Sequence, residues 1–316
     1  VEQEIKNPLE YIALDKLSMK RISREQYRLD RIRATIIREV KIAYMDVLYA
    51  REKFRLMQEL EKIFSGLDHA GEQKYRTGDI SFLEQVSTSA KYRQILMEKE
   101  KTETLLDNML LSLRKSIYAD GPVHVADSIL PSPTLTEIRR GTDSLASNPD
   151  LLVYRSTWET SQAMSRVMKS ISWPDPFLRV GHTEINRNGS FNSFELGLRI
   201  PVDIWAERGK NRSAEITAEM DYQHYIRMKH EVQSDLMTVR NDLENFRRQL
   251  DYFSESRLKE ADMIVRSARR QYEAGNIDYL QYVQYFDQST TIRIDYLDVL
   301  IGYHRKLAEL EYLLGI

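Results

Sequence analysis

A short pattern of twelve residues occurs twice in this chain. Residues 75–86 read Tyr-Arg-Thr-Gly-Asp-Ile-Ser-Phe-Leu-Glu-Gln-Val, and residues 272–283 keep the tyrosine, glycine, isoleucine, leucine and valine in register, with Tyr279 in the place of Phe82. The shift between the copies is 275 − 78 = 197 residues. Solenoid repeats are only about 20–50 residues long. The pattern therefore predicts a duplicated domain.

Two apolar heptad runs support the same duplication. The first is Ile36, Val40, Ala43, Val47, Ala50, Phe54 and Met57, and the second is Val232, Leu236, Val239, Leu243, Phe246, Leu250 and Phe253. Their offset is 232 − 36 = 196, one less than that of the motif, which indicates a one-residue insertion or deletion between heptads and motif. A repeat of this spacing commits a helix to left-handed supercoiling against a partner.

Each half is predicted to be a long antiparallel helical hairpin. In the second half, one helix is expected to run from about Asn211 to just before Gly275, a length of roughly 90 Å. Returning helices are expected from Phe82 to about Ile117 and from Tyr279 to Leu314. Gly78 and Gly275 supply the left-handed backbone that ends a helix, so they mark the two hairpin tips. We expect Phe82 and Tyr279 to pack inside them.

Helix-breaking glycine and proline residues within 119–148 divide the chain into three parts. Residues 1–118 form the first repeat, 119–148 an inter-repeat linker, and 149–316 the second repeat. Pro149 suits the first turn of a helix that runs to about Ser170.

Residues 176–201 are predicted to form a β-hairpin. Strands at 177–185 and 190–200 flank Asn188-Gly189, a strong hairpin turn signal. Strands of about ten residues with one apolar face are typical of a transmembrane barrel, although a soluble hairpin that covers helices fits the strands alone equally well. The predicted membrane-facing residues are Phe194, Leu196, Leu198 and Ile200.

Subtracting 197 from 177–200 places the matching first-half hairpin at −20 to 3. We therefore expect the first helix and the first hairpin of the first repeat to lie before Val1.

Composition excludes several function classes. The chain has 46 basic and 48 acidic residues and no cysteine, so neither nucleic-acid binding nor disulfide or thiolate chemistry is indicated. The sequence has no apolar run long enough for a transmembrane helix. The six histidines form no i,i+4 pair, and the methionines are scattered. No nucleophile, phosphate loop or carboxylate pair stands out, so we expect no enzyme activity, no cofactor and no metal site.

The ordered combination of these features resembles the outer-membrane factor family, which includes TolC-type and CusC/CzcC-type efflux ducts. The resemblance rests on Tyr-x-x-Gly-[Asp/Asn]-Ile-x-aromatic-Leu at both tips and on the final helix ending Leu310-Glu-Tyr-Leu-Leu-Gly315. It also rests on Leu196–Trp205 followed by Arg208–Arg212, which looks like that family's passage from strand into helix.

The resemblance implies a mainly helical protein with a membrane β-hairpin. It implies a homotrimer in which coiled-coil hairpins close a periplasmic α-barrel, continuous with a 12-stranded β-barrel in the outer membrane of a Gram-negative bacterium. The implied partners are outer-membrane lipid, a periplasmic adaptor (membrane fusion protein) and an inner-membrane resistance-nodulation-division (RND) transporter. The duct would conduct passively.

The resemblance also assigns site residues. Gate positions are Glu84, Tyr272, Gln281 and Gln284, and Tyr272 would reach Glu84 of a neighbouring hairpin. Docking tips are Gly78, Asp79, Gly275 and Asn276.

This chain departs from the TolC pattern at the second tip. TolC-type members carry acids where this chain has Gln281 and Gln284, and arginine where it has Ile277, which puts a salt-bridged lock in doubt. Glu84 and the two glutamines also suit ordinary solvated surface positions.

Two other functions are open. The chain could be a soluble periplasmic coiled-coil adaptor or scaffold, or a type I secretion duct of the same fold. The sequence leaves the cargo, drug or metal ion, unspecified.

Overall fold

The computed structural model describes residues 8–132, 145–171, 174–185, 189–199 and 204–316. This part of the chain is mainly helical with one β-hairpin, as predicted. The helices are α1 Pro8–Thr77, α2 Phe82–Ser116, α3 Pro149–Ile171, α4 Ile204–Tyr252, α5 Leu258–Glu273 and α6 Tyr279–Leu314, with a short 3-10 helix at Leu145–Ser147.

Three helix starts agree with the predicted turn and cap residues, and the second repeat shows two differences. α4 begins at Ile204, seven residues before the predicted start near Asn211. α2, α3 and α6 begin at Phe82, Pro149 and Tyr279, as their turn and capping residues predict. The predicted single helix up to Gly275 is instead α4 and α5, joined by a π-helical turn at Phe253–Arg257. Heptad periodicity does not reveal a turn of this kind, because the flanking segments remain helical.

The described residues divide into two units. One contains Val1–Ala34, Asp143–Asp235 and Leu313–Ile316, and the other contains Thr35–Thr142 and Leu236–Tyr312.

Heptad residues form the core of the second unit. Val47 and Ala50 are fully buried, and Leu243 is 3% exposed. Towards the tips, a cluster joins both hairpins: Leu56, Met57, Leu60, Phe64, Ile95, Ala268, Tyr282 and Phe286. The apolar spacing therefore identified the residues that hold the coiled coil together.

Residues 119–132 belong to the second unit and have no regular secondary structure. They contact α1 and α6. Leu130 and Val125 are buried. The Leu130 amide donates to the Glu52 carboxylate (2.6 Å), and Arg51 donates to the carbonyl oxygen of Val125 (3.2 Å). His304 of α6 contacts the Pro131 carbonyl oxygen through Nε2 (2.8 Å).

In the first unit, α3 packs against α1 and α4. Leu17, Ala163 and Val167 form the buried cluster. The Trp158 ring is nearly parallel to that of Tyr225, with centroids 6.2 Å apart. These contacts fix α3 through apolar burial on one side and aromatic packing on the other.

Asn148 ties the start of α3 to the end of α6. Its side-chain oxygen accepts from the Leu151 amide (2.9 Å), and its side-chain nitrogen donates to the Leu313 carbonyl (2.9 Å). The asparagine is fully buried, so these bonds satisfy groups that water does not reach.

The β-hairpin pairs β1 Asp175–Ile185 with β2 Gly189–Arg199 in antiparallel register. Gly189 has φ +97°, a value that favours glycine. The predicted strands lie within one or two residues of these bounds. Trp173, the turn residues 186–188 and Ile200 lie outside the described residues.

Within the described helices, no stretch combines the length and apolarity needed to cross a membrane.

Candidate functional site

The first predicted tip is a helix end of defined geometry. α1 stops at Gly78, which has φ +81°. The Gly78 amide donates to the Tyr75 carbonyl (3.1 Å), and the Asp79 amide donates to the Lys74 carbonyl (2.8 Å). This pair of bonds is a Schellman motif, in which a left-handed residue lets the chain satisfy the last helical carbonyls.

The second tip repeats the same geometry. Gly275 has φ +73°. Its amide donates to the Tyr272 carbonyl (3.1 Å), and the Asn276 amide donates to the Gln271 carbonyl (2.8 Å). The duplicated Tyr-x-x-Gly pattern therefore encodes a duplicated helix stop.

Each returning helix opens with a reciprocal cap. Ser81 and Glu84 cap α2: the Glu84 amide donates to Ser81 Oγ (3.2 Å), and the Ser81 amide donates to Glu84 Oε2 (2.9 Å). At α6, the Gln281 amide donates to Asp278 Oδ1 (2.8 Å), and the Asp278 amide donates to Gln281 Oε1 (3.2 Å). Both arrangements are capping boxes.

Two of the predicted gate residues thus have a local structural task. Glu84 and Gln281 satisfy backbone donors at the start of their own helices, whereas Gln284 is simply exposed. The sequence signals for this capping role are Ser81-Phe-Leu-Glu84 and Asp278-Tyr-Leu-Gln281. The resemblance to the outer-membrane factor family does not depend on them.

Tyr272, the other predicted gate residue, lies within an aromatic cluster. Its ring stacks on Tyr282 with centroids 4.7 Å apart, and the Lys74 ammonium lies 5.3 Å from the ring centroid. Within this chain Glu84 is bonded to Ser81 and not to Tyr272. A bond between Tyr272 and Glu84 of another subunit stays a prediction.

The tips differ in burial at the residue after each cap. Tyr279 is 5% exposed, as predicted, whereas Phe82 is 64% exposed and does not pack inside its tip. Burial raises the pKa of Tyr279 to about 12, and Thr88 partly opposes this shift. The Tyr279 hydroxyl has no hydrogen bond of standard geometry within the described residues, and the Thr88 hydroxyl donates to the Glu84 carbonyl (2.8 Å).

The first tip consequently presents apolar surface. Tyr75, Leu83 and Val86 are exposed together with Phe82, and the rings of Tyr75 and Phe82 lie 5.9 Å apart. A sequence pattern that treats the two tips as equivalent does not reveal this asymmetry, because it depends on which hairpin flank each tip contacts.

A second candidate surface is the β-hairpin. Leu178 pairs with Leu196, and Val180 with Phe194, so these four side chains share one face, with Leu198 beside them. All are exposed.

The opposite face of the hairpin is polar in its middle, and Phe177 and Phe191 also lie on it. It carries an ion pair between Arg179 and Glu195 (2.6 Å), while Phe177 lies across Gly197. The predicted alternation is therefore present in both strands.

Across the part of the chain that the structure describes, no three histidine or carboxylate side chains lie close enough together to hold a metal ion. The expectation that the chain has no metal site remains a prediction.

Comparisons with known proteins agree with the fold and its predicted class. No family model matches the chain. It is 24% identical over 302 residues to the cobalt-zinc-cadmium resistance protein CzcC of Cupriavidus metallidurans, an alignment that covers 92% of this chain and 70% of CzcC. This similarity supports the resemblance to the outer-membrane factor family, in its CusC/CzcC branch.

Solved structures of outer-membrane channels have the same fold. The match to OprN covers 99% of this chain and 74% of the OprN chain, with a TM-score of 0.88 at 13% identity. CusC matches 99% and 76% with a TM-score of 0.85 at 14% identity. The channel CmeC of Campylobacter jejuni matches 99% and 70% with a TM-score of 0.84 at 13% identity. The outer-membrane localisation implied by the resemblance agrees with these relatives.

Proposed function

We propose that this chain is the outer-membrane exit duct of a tripartite efflux pump. Three subunits would close a 12-stranded β-barrel above a helical barrel, and substrate would diffuse through without energy supplied by the duct. The observation that carries the proposal is the hairpin's exposed apolar face, centred on Leu196 and Phe194, on a chain with the fold of outer-membrane channels.

Physical arguments favour closure by oligomerisation. A single two-stranded hairpin is marginally stable in water, and an open sheet edge cannot be satisfied in lipid. A barrel assembled from several subunits resolves both problems, and it places the apolar face of the hairpin against lipid and the Arg179–Glu195 face towards the lumen.

The tips are proposed as the place where partners dock and the duct opens. Gly78, Asp79, Gly275 and Asn276 form the exposed turns, which would meet the periplasmic adaptor and the RND transporter. Glu84, Tyr272, Gln281 and Gln284 would line the constriction. Since Glu84 and Gln281 also cap helices, movement of the gate would carry whole helix starts and not isolated side chains.

A metal ion is the cargo that the named sequence relative favours, because CzcC is a cobalt-zinc-cadmium resistance protein. The competing functions are a soluble coiled-coil adaptor or scaffold and a type I secretion duct of the same fold. The exposed apolar face of the hairpin argues against the first, and the second differs only in cargo.

The deciding experiment is extraction and reconstitution. We expect the protein to require detergent, to have the mass of a trimer and to produce ion conductance in planar bilayers. A water-soluble monomer or dimer without conductance would refute the duct and favour the adaptor. Deleting the gene and measuring survival with zinc, cobalt or organic drugs would then identify the cargo class.

A further inference from the structure

The second hairpin contains one residue more than the first between equivalent core positions. Val47 and Phe64, both buried, are 17 residues apart, whereas Leu243 and Ala261, also buried, are 18 apart. The repeat offset therefore changes from 243 − 47 = 196 to 261 − 64 = 197 within this stretch.

The π turn lies where the extra residue must be. It spans Phe253–Arg257, and the Leu258 amide donates to the Phe253 carbonyl five residues back. The equivalent stretch of the first hairpin is continuous α-helix within α1. An added residue would rotate all later side chains by about 100° in an α-helix. The wide turn absorbs the rotation and keeps Ala261 and Ala268 in the core.

Two side chains of the turn are held: the Phe253 ring packs against that of Tyr296 (centroids 6.0 Å apart), and Arg257 pairs with Glu260 (3.0 Å). The bonds on the exposed side of the turn are local. Ser254 Oγ donates to the Asp251 carbonyl (3.0 Å) and Ser256 Oγ to the Tyr252 carbonyl (3.3 Å), bonds that compete with the helical ladder. Ser254 is exposed, and Tyr252 is 57% exposed. Segments with little burial and exposed backbone bonds open at the lowest free energy.

We propose that the Phe253–Arg257 turn is the point at which the second hairpin bends when its tip moves. A wide turn can move along a helix by exchanging one backbone hydrogen bond at a time, and each residue it passes rotates by about 100°. α5 and the Gly275 tip can therefore reorient without unfolding, while the continuous α1 keeps the first hairpin straight. The link to opening rests on the proposed duct function.

Amide hydrogen exchange of the intact protein in detergent tests the local part of the proposal. The internal reference is residues 57–64 of α1, the equivalent stretch without a π turn. We expect amides of residues 254–261 to exchange at least about tenfold faster than those of 57–64. Equal rates in the two stretches would overturn the proposal.

Deletion of Ser254 tests whether the extra residue causes the expected fast amide exchange. It removes the extra residue, so residues 250–273 can form one α-helix with unchanged core positions, and exchange should slow to the level of 57–64. The matched control is the double variant Ser254→Ala/Ser256→Ala, which keeps the residue count and should stay within about threefold of wild type. Fast exchange in the deletion variant would contradict the proposal. If that variant does not fold, the comparison within the wild-type chain still decides.

Conductance tests the link to opening. We expect the deletion variant to insert as a trimer but to show at least about tenfold fewer openings than wild type. A deletion variant with slowed exchange and wild-type openings would overturn the role in tip movement. Absence of conductance in the wild-type protein would instead refute the duct function. The exchange comparison would still test whether the Phe253–Arg257 turn opens more readily than the equivalent stretch of α1.

Discussion

Ser81 and Glu84 cap the first turn of α2 reciprocally, each accepting a hydrogen bond from the other's backbone amide (3.2 and 2.9 Å). Glu84 is at the same time the only charged residue among the four proposed gate positions. The capping and gating roles make different demands, since capping needs an acceptor oxygen whereas a charged gate needs a carboxylate.

Two substitutions separate these roles. Glu84→Gln keeps an acceptor and the capping box, so we expect unfolding stability within about 0.5 kcal/mol of wild type. Glu84→Ala removes the acceptor of the Ser81 amide, while Ser81 Oγ can still accept from the residue-84 amide, and it should cost up to about 1 kcal/mol. If charge contributes to gating, both variants change channel conductance equally, measured in planar bilayers. A Glu84→Gln channel indistinguishable from wild type would exclude a charged gate at this position.

Gly315→Ala is expected to disrupt the joint between α3 and α6. Gly315 has φ +69°, and a β carbon there would meet the Ser147 carbonyl group. Left-handed strain plus overlap should cost about 2–4 kcal/mol, relieved by release of the last turn of α6 and of the Asn148–Leu313 bond. Amide exchange at Leu151 should accelerate accordingly.

Gly66→Ala is the control for this change. Gly66 lies in α1 with open space around its α carbon, so alanine there should be neutral or stabilising by up to about 1 kcal/mol. Unchanged exchange at Leu151 in the Gly315→Ala variant would contradict the expected clash.

Tyr118→Gly is expected to stabilise the protein. Tyr118 ends α2 with φ +54° at the position equivalent to Gly315, and its side chain is 82% exposed. Relief of left-handed strain, about 1–2 kcal/mol, should outweigh the entropy that glycine adds to the unfolded chain. The net gain should be about 0.5–1 kcal/mol in denaturant unfolding. Tyr118→Ala keeps the strain and should show no gain.

His304 should make stability depend on pH. Burial lowers the pKa of His304 below 6.5, and the bond to the Pro131 carbonyl only partly opposes this shift. The unfolded chain therefore takes up the proton first as pH falls, and stability that is complete above about pH 6.5 is lost between that value and the folded-state pKa. His304→Gln, which can still donate to Pro131, should lose less stability than wild type between about pH 7.5 and pH 5. Equal losses would show that the pKa of His304 is the same in the folded and unfolded chain.

The sequence predicts the hairpins well because their signals are local and repeated. Gly78 and Gly275 end helices through backbone geometry that few other residues adopt, and heptad spacing selects Val47 and Leu243 for the core. The register shift also indicates a one-residue insertion or deletion between the heptads and the motif. The sequence does not reveal how the helix accommodates the one-residue difference. A continuous α-helix with rotated side chains and a helix with a π turn contain the same number of residues.

The candidate site is only partly predictable for a similar reason. The positions of Glu84 and Gln281 relative to the glycines follow from sequence spacing. The burial of Tyr279 and exposure of Phe82 depend on which flank of the other hairpin lies beside each tip, and that contact is not local in sequence.

Leu196→Arg tests the proposed membrane face directly. Leu196 is 82% exposed and pairs with Leu178 on the apolar side of the hairpin. An arginine on a lipid-facing strand costs about 2–4 kcal/mol near the membrane centre, so we expect much less folded trimer in outer-membrane fractions. Ser193→Arg is the control, because Ser193 lies across from Gly181 on the face that carries Arg179 and Glu195, and a basic side chain there would project into the proposed lumen. Equal trimer yields for both variants would mean that this face does not contact lipid.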